Sequence, residues 1–319
     1  TDYYFVGFQT ADFFQAGYYS LGRLRHYGIQ SYISHPFSRF QRFDFGLTWH
    51  NISYDILDRV INTFTGQEEL LKRPGSIKFT TVLPTMSWVI DNSVFGITGP
   101  VDGYRQNASV TASPGWKNNF SFQTMKFDAR KYWRVGRDYT FALRGFFGRS
   151  QGNKAQKFFL GGTPYLLTDF QSGETSGVKD PSIYRSVLTD TANSNIITDV
   201  YFTEYAFPMR GARFAERIGT NAALFNFEIR FPFINYLALG FPLKLVLGNI
   251  RGHAFMDVGA AWDNYSEFSS NMWPDKYGPN NSGNFSPWVV TSGLGVKINL
   301  GYFLLRLESA WDKNPSGYS

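Results

Sequence analysis

The sequence predicts an all-β chain: a transmembrane antiparallel β-barrel of about 12 strands, with one long loop folded into its lumen. Three observations predict it. First, 18% of the 319 residues are aromatic, with 32 Phe, 19 Tyr and 8 Trp, yet mean hydropathy is only -0.26. No apolar run approaches the roughly 20 residues that a membrane-crossing helix needs, so the apolar content has to be spread by alternation. Second, Asp, Glu and Arg recur at mid-strand opposite large aromatics. That pattern suits a wet lumen backed by lipid better than the solvent face of a sandwich, in strands of about 9–11 residues. Third, tight turns such as VGRD (135–138) and NLGY (299–302) contrast with long connections rich in Gly, Ser, Asn and Asp, such as 265–286. Membrane barrels pair short turns at one end with long loops at the other.

In chain order, weak alternation near 3–10 and 28–35 marks the first strands. In FDFGLTWH (43–50), Phe43, Phe45, Leu47 and Trp49 share one face, and Asp44, Gly46, Thr48 and His50 the other. Runs near 76–92, 103–114, 119–134 and 138–149 continue the wall. The aromatics of DARKYWRVGRDYTF and NFSPWVV lie near strand ends, where interfacial girdles form. A further strand is predicted at 155–160. The connection 163–219 follows, and a loop of that length is expected to be functional and to fold into the lumen. Within it, 195–207 is extended enough for an extra hairpin or plug. Beyond it, ALFNFEIRF (223–231) sets Phe225, Phe227, Ile229 and Phe231 against Leu224, Asn226, Glu228 and Arg230. AFMDVGAAW (254–262) sets Met256, Val258 and Trp262 against Phe255, Asp257 and Gly259, and strands at 287–300 and 303–311 close the series. Successive side chains of a strand point to opposite faces. Glu228 and Asp257 therefore face the lumen, and Lys126, Arg144, Lys297, Arg306 and Glu308 line it.

Net charge is +6, from 31 basic and 25 acidic residues. The basic residues are scattered rather than striped, which fits a solvated lumen and loops and not nucleic acid. The absence of cysteine fits an envelope protein. His26, His35, His50 and His253 form no metal-ligand spacing. There is no Gly-x-Ser-x-Gly elbow, phosphate-binding glycine loop or cysteine nucleophile. The expectation is no catalytic residue, no metal and no cofactor. Thr1 is not an initiator and no signal peptide precedes it, so the chain reads as the ordered part of something longer.

FFLGG (158–162), MRG (209–211), FNFEIRFPF (225–233), FMDVGAAWD (255–263) and SGLGVKINLGYFLLRLESAWD (292–312) occur in that order. Together they resemble the C-terminal half of the BamA/TamA superfamily, the bacterial surface antigen barrels. The resemblance covers 155–312 well and the N-terminal half loosely. It implies that Gly161 and Gly162 open an inward-folding loop whose tip is Arg210 and Gly211. It further implies that Arg210 pairs with the inner-wall acids Glu228 and Asp257, with Arg230 a competing partner for Glu228. Gly259 leaves room for the loop backbone at the wall. Ala212 stands where the family has Phe or Tyr, and Phe214 takes that place two residues later. Arg213 and Arg217 read as solvated or lumen-lining cations. By the same resemblance, about twelve of roughly sixteen strands are present; an N-terminal periplasmic region and an aromatic-ended last strand are absent.

What the resemblance implies for function is a bacterial outer-membrane barrel that inserts or translocates polypeptides. Its partners would be outer-membrane lipids and lipopolysaccharide, client polypeptides, and periplasmic or lipoprotein accessory subunits, with no nucleic acid. Two alternatives stand beside it: a membrane anchor or dedicated exporter of a fused domain, and a passive diffusion channel.

Overall fold

The computed structural model describes residues 1–17, 20–61, 67–75, 77–115, 121–162, 204–206, 208–212, 216–240, 245–265, 288–300 and 303–312. They form an all-β, barrel-type antiparallel wall. Its strands in chain order are β1 (Asp2–Gly17), β2 (Ser20–Pro36), β3 (Gln41–Ile61), β4 (Glu68–Lys72), β5 (Ile77–Asp91), β6 (Val94–Gly96), β7 (Gly99–Pro114), β8 (Ser121–Val135) and β9 (Tyr139–Gly152). After the long connection come β13 (Asn221–Leu239), β14 (Leu245–Trp262), β15 (Trp288–Asn299) and β16 (Leu304–Asp312). Hydrogen bonding runs β1-β2-β3-β5-β7-β8-β9-β13-β14-β15-β16, with β4 added to β3 and β6 to β7. Neighbours in sequence are neighbours in space, as in an up-and-down barrel.

The alternation sorts as a membrane wall requires. On β3, Phe45, Leu47 and Trp49 are 45–51% exposed while Asp44 is 3% exposed. On β14, Met256 is exposed and Asp257 is fully buried. The greasy side of the sheet is its outside. A belt of exposed aromatics this broad is stable against lipid, and in water it would be an aggregation surface.

Two expectations about the strands are corrected. The first is length. β3 has 21 residues and β13 has 19, well beyond the span of a hydrocarbon core. The β13–β14 pairing runs from Asn221↔Trp262 to Leu239↔Leu245, yet β9 pairs only 221–230 of it and β15 only 251–260. A two-stranded hairpin therefore stands clear of the wall at the short-turn end.

The second correction concerns 155–160, which is not a wall strand. Its last residues form β10 (Phe158–Leu160), the centre of a separate inner sheet. There β11 (Glu204–Ala206) runs parallel to it and β12 (Arg217–Gly219) antiparallel. Of the 195–207 stretch, only 204–206 and its β11 strand are described. Phe158 and Leu160 are wholly buried with Ala206 and Met209 against the lumen-facing Ala222, Leu224, Ala261 and Val289. Each large side chain so buried is worth about 1.5–3 kcal/mol. These described residues pack against one another and the wall at the long-loop end of the lumen. Lys126 Nζ donates to Glu204 Oε1 at 2.8 Å, and Lys157 Nζ to Asp263 at 3.1 Å, which fastens the inner sheet to the wall.

At the short-turn end the β6–β7 turn also enters the lumen. Arg230 Nη1 donates to the Pro100 carbonyl at 2.5 Å. Gly103 on β7, at φ 92, has Asn92 O only 2.4 Å from the place of a Cβ, so the strand needs glycine there on both counts.

The seam between the inner sheet and the wall yields a prediction. A Cβ on Gly219 would lie 2.4 Å from the backbone nitrogen of Trp262, which has no flexible end to yield. Gly219→Ala is expected to destabilise the folded barrel by about 1–3 kcal/mol and to make 204–220 protease-sensitive. Denaturant unfolding in detergent and limited proteolysis measure both. An unchanged midpoint would mean that β12 is not seated on β14.

Candidate functional site

The site is built where the inner sheet ends and the chain crosses the lumen. Met209 N–H donates to Gly161 O at 3.2 Å, which turns the chain back beside β10. Gly162 has Ala212 O 2.3 Å from the position of a Cβ. Gly211, at φ 79, would place a Cβ 2.7 Å from the methyl of Ala310 on β16. Both glycines are close approaches between the loop tip and its surroundings. Gly259 is a third, with a difference from expectation. It makes room for the side chains of Leu160 and Met209, at 2.9 and 3.2 Å, and not for the loop backbone.

Arg210, 5% exposed, is delivered between β13, β14 and β16. Its backbone N–H and Nε both donate to Asp257 Oδ2 at 2.9 Å, and Nη2 donates to Asp257 Oδ1 at 2.7 Å. Nη1 donates to Glu228 Oε2 at 2.6 Å. One guanidinium therefore bridges two strands through three charge-assisted bonds, the fork meeting Asp257 in bidentate geometry while the backbone N–H adds a fourth bond to the same carboxylate. The guanidinium carbon also stands 3.7 Å from the Phe255 ring centroid, a cation–π contact on the third side. The tip is on the inward loop, outside the spanning strands. Burial opposes its charge, but Asp257 and then Glu228 outweigh that and hold the guanidinium above its ordinary value.

Glu228 is shared. Arg230 Nε reaches its Oε1 at 2.6 Å and Lys297 Nζ at 2.7 Å, so Arg230 is an additional partner and not a competitor. The other acid of the cluster is Glu308 on β16. It accepts from Arg306 Nη2 at 2.6 Å, meets His253 Nε2, and stands 3.7 Å from Arg210 Nη1. The structure thus brings together Arg210, Asp257, Glu228, Lys297, Arg306 and Glu308. Sequence reasoning did not assign Phe255, His253 or Glu308 to the loop tip. The signal was the inward series of β14: His253, Phe255, Asp257 and Gly259 stand at a period of two, and Phe255 is the register partner of Glu228.

Other residues stand elsewhere. Phe214 and Arg213 lie outside the described residues. Arg217 is not solvated: it is 9% exposed on β12 and its Nη1 donates to Glu216 O at 2.9 Å. Lys126 and Arg144 bond Glu204 and Asp128, away from the loop tip.

This geometry ranks substitutions. Arg210→Ala leaves Asp257, with no exposed surface, uncompensated beside Glu228. The expected cost is about 3–5 kcal/mol. Arg210→Lys keeps the charge but loses the fork, and should recover only part of it. Glu308→Gln, facing Arg210 across 3.7 Å, should cost distinctly less. Urea unfolding of the three variants in detergent gives the order, and equal midpoints for Arg210→Ala and Glu308→Gln would contradict it.

Set against known proteins, the Omp85 superfamily domain matches residues 6–318. No curated protein matches in sequence. Among solved structures, BamA from Haemophilus ducreyi lacking POTRA domains 1–3 is similar, with a TM-score of 0.55 and 11% identity over 93% of this chain and 52% of that one. CdiB from Escherichia coli aligns with 93% of this chain and 47% of its own at 12% identity and a TM-score of 0.39. This chain spans about half the length of either, and the likeness to BamA is one of fold. With the domain matched over nearly every residue, the chain belongs to the Omp85 superfamily.

Proposed function

We propose that this barrel inserts or translocates polypeptides in the outer membrane of a bacterium. The observation that carries the reading is the brace at the loop tip: Arg210 ties the inner sheet to Asp257 on β14 and Glu228 on β13, and faces Glu308 on β16. Superfamily membership and the BamA-type fold support it. Among the described residues, β1 and β16 each have a strand on one side only. A strand edge offers unpaired N–H and C=O groups, and an incoming extended segment satisfies them by adding to it. In lipid, where no water can do so, that exchange is strongly favoured.

The proposed mechanism is mechanical. The wall next to the β16 edge must hold its register while the edge changes partners, and Arg210 braces it there. Client polypeptides are the partners at the edge. Outer-membrane lipids and lipopolysaccharide cover the aromatic outer face, and accessory periplasmic or lipoprotein subunits join from the short-turn side. A passive channel is disfavoured because the lumen is entered from both ends, by the loop tip and by the β6–β7 turn.

The test uses Asp257→Asn, which removes charge from the brace with little change of shape. In cells depleted of the natural protein, the variant should be made and folded, by the heat-dependent shift of its gel band, yet assemble or export its clients at a several-fold lower rate. Planar-bilayer recordings of the natural protein should give a small, fluctuating conductance. Unchanged client handling would sink the bracing role, and a large steady conductance would favour the channel instead.

A further inference from the structure

On the short-turn side of Arg210 the lumen contains a chamber of about 420 Å³. One wall of it breaks a rule of sheet construction. Arg105 on β7 is the register partner of Arg130 on β8, and Arg130 is the register partner of Arg144 on β9. Side chains in such positions have Cβ atoms about 4.5–5.5 Å apart, and like charges there destabilise the sheet. Three arginines abreast on three strands thus carry a cost that the fold itself does not require, and such local violations mark functional sites.

Compensation is incomplete. Asp128 accepts from Arg130 Nε at 2.9 Å and from Arg144 Nη2 at 2.7 Å, and Asp91 is 3.7 Å from Arg105 Nε. Arg105 and Arg130 still leave 48% and 38% of their side-chain surface open. Arg230, Lys297 and Arg306 line the chamber as well, and among the described residues Glu228 is the one carboxylate that lines it. Glu228 is already engaged by three cations. Adding the carboxylates that stand behind the chamber, Asp91, Asp128, Asp257 and Glu308, still leaves the seven lining cations two charges in excess. Phe95, Thr98 and Pro100 of the β6–β7 hairpin face the same space.

We propose that this chamber binds a phosphate-class oxyanion on the Arg105–Arg130–Arg144 row. Guanidinium forks match the oxygen spacing of phosphate, and a doubly charged anion offsets the excess. The volume admits a phosphate or pyrophosphate group with a small substituent and excludes a folded polypeptide. The anion is either free or the phosphate of a glycolipid head group. The inference stands apart from the transport reading, because it needs only the static lumen.

Isothermal titration of the intact protein in detergent with inorganic pyrophosphate tests it. Saturable binding is expected, weakened by added salt and by roughly ten-fold or more in Arg130→Gln and Arg105→Gln. Arg137→Gln, in an exposed turn, should bind as the natural protein does. The heat-dependent gel shift verifies folding. Should Arg130→Gln not fold, Arg130→Lys keeps the charge without the fork, and the same direction of loss is expected. Glucosamine phosphate is titrated in parallel: tighter binding than pyrophosphate assigns a glycolipid source, and equal or weaker binding a free anion. Absence of saturable binding by both, or equal affinity in all variants, overturns the proposal.

Discussion

A guanidinium buried in the lumen of a barrel is tenable only where carboxylates meet it, and Arg210 is placed by that constraint. Its four bonds to Asp257 and Glu228 join the end of the inner sheet to two wall strands. The strength of such a cluster lies less in the net worth of the pairs than in the cost of parting them, because each partner would be left charged and dry. The loop tip consequently has one seat. Around that seat small residues are obligatory: Gly162, Gly211 and Gly259 each stand where a Cβ would collide with the loop, with β16, or with Leu160.

The polar cluster depends in turn on the dry patch above it. Phe158, Leu160 and Met209 fill the lumen against Ala222, Leu224, Ala261 and Val289 and exclude water from one side of the ion pairs. Below, Arg230 continues the chain of contacts. It holds Glu228 through Nε and Pro100 O through Nη1, so the long loop at one end of the barrel and the short turn at the other share one carboxylate. Release of Arg210 would therefore be felt at both ends of the lumen.

Much of this was legible in the chain. Alternation placed Asp44 opposite Phe45, and Glu228 and Asp257 on the wet face, because a period of two is a local property of an extended backbone. The inner sheet was not legible. FFL is three apolar residues with no period, and its partners 204–206 and 217–219 are distant in sequence, so nothing local separates it from a wall strand. The projecting β13–β14 hairpin was hidden for a related reason. FPFINYLALGFPLKLVLGNI is nearly continuous in apolar residues and interrupted by proline, so the alternation stops near 231 and 254 while the strands and their pairing run on to Leu239 and Leu245. The arginine row needed register: Arg105, Arg130 and Arg144 lie on three strands, and a shift of one residue would send any of them to the other face. Glu308 was legible as a lumen residue, but its meeting with His253 across β15 is a fact of strand register.

The central claim is that Arg210 and Asp257 are energetically one unit. A double-mutant cycle tests it most directly, with Arg210→Ala, Asp257→Ala and the double variant unfolded in urea within the same detergent. The account predicts a coupling energy of about 2 kcal/mol or more, with the double variant more stable than the sum of single losses implies. A coupling near zero would contradict it, because the loop tip would then be held by packing alone and the ion pair would be incidental.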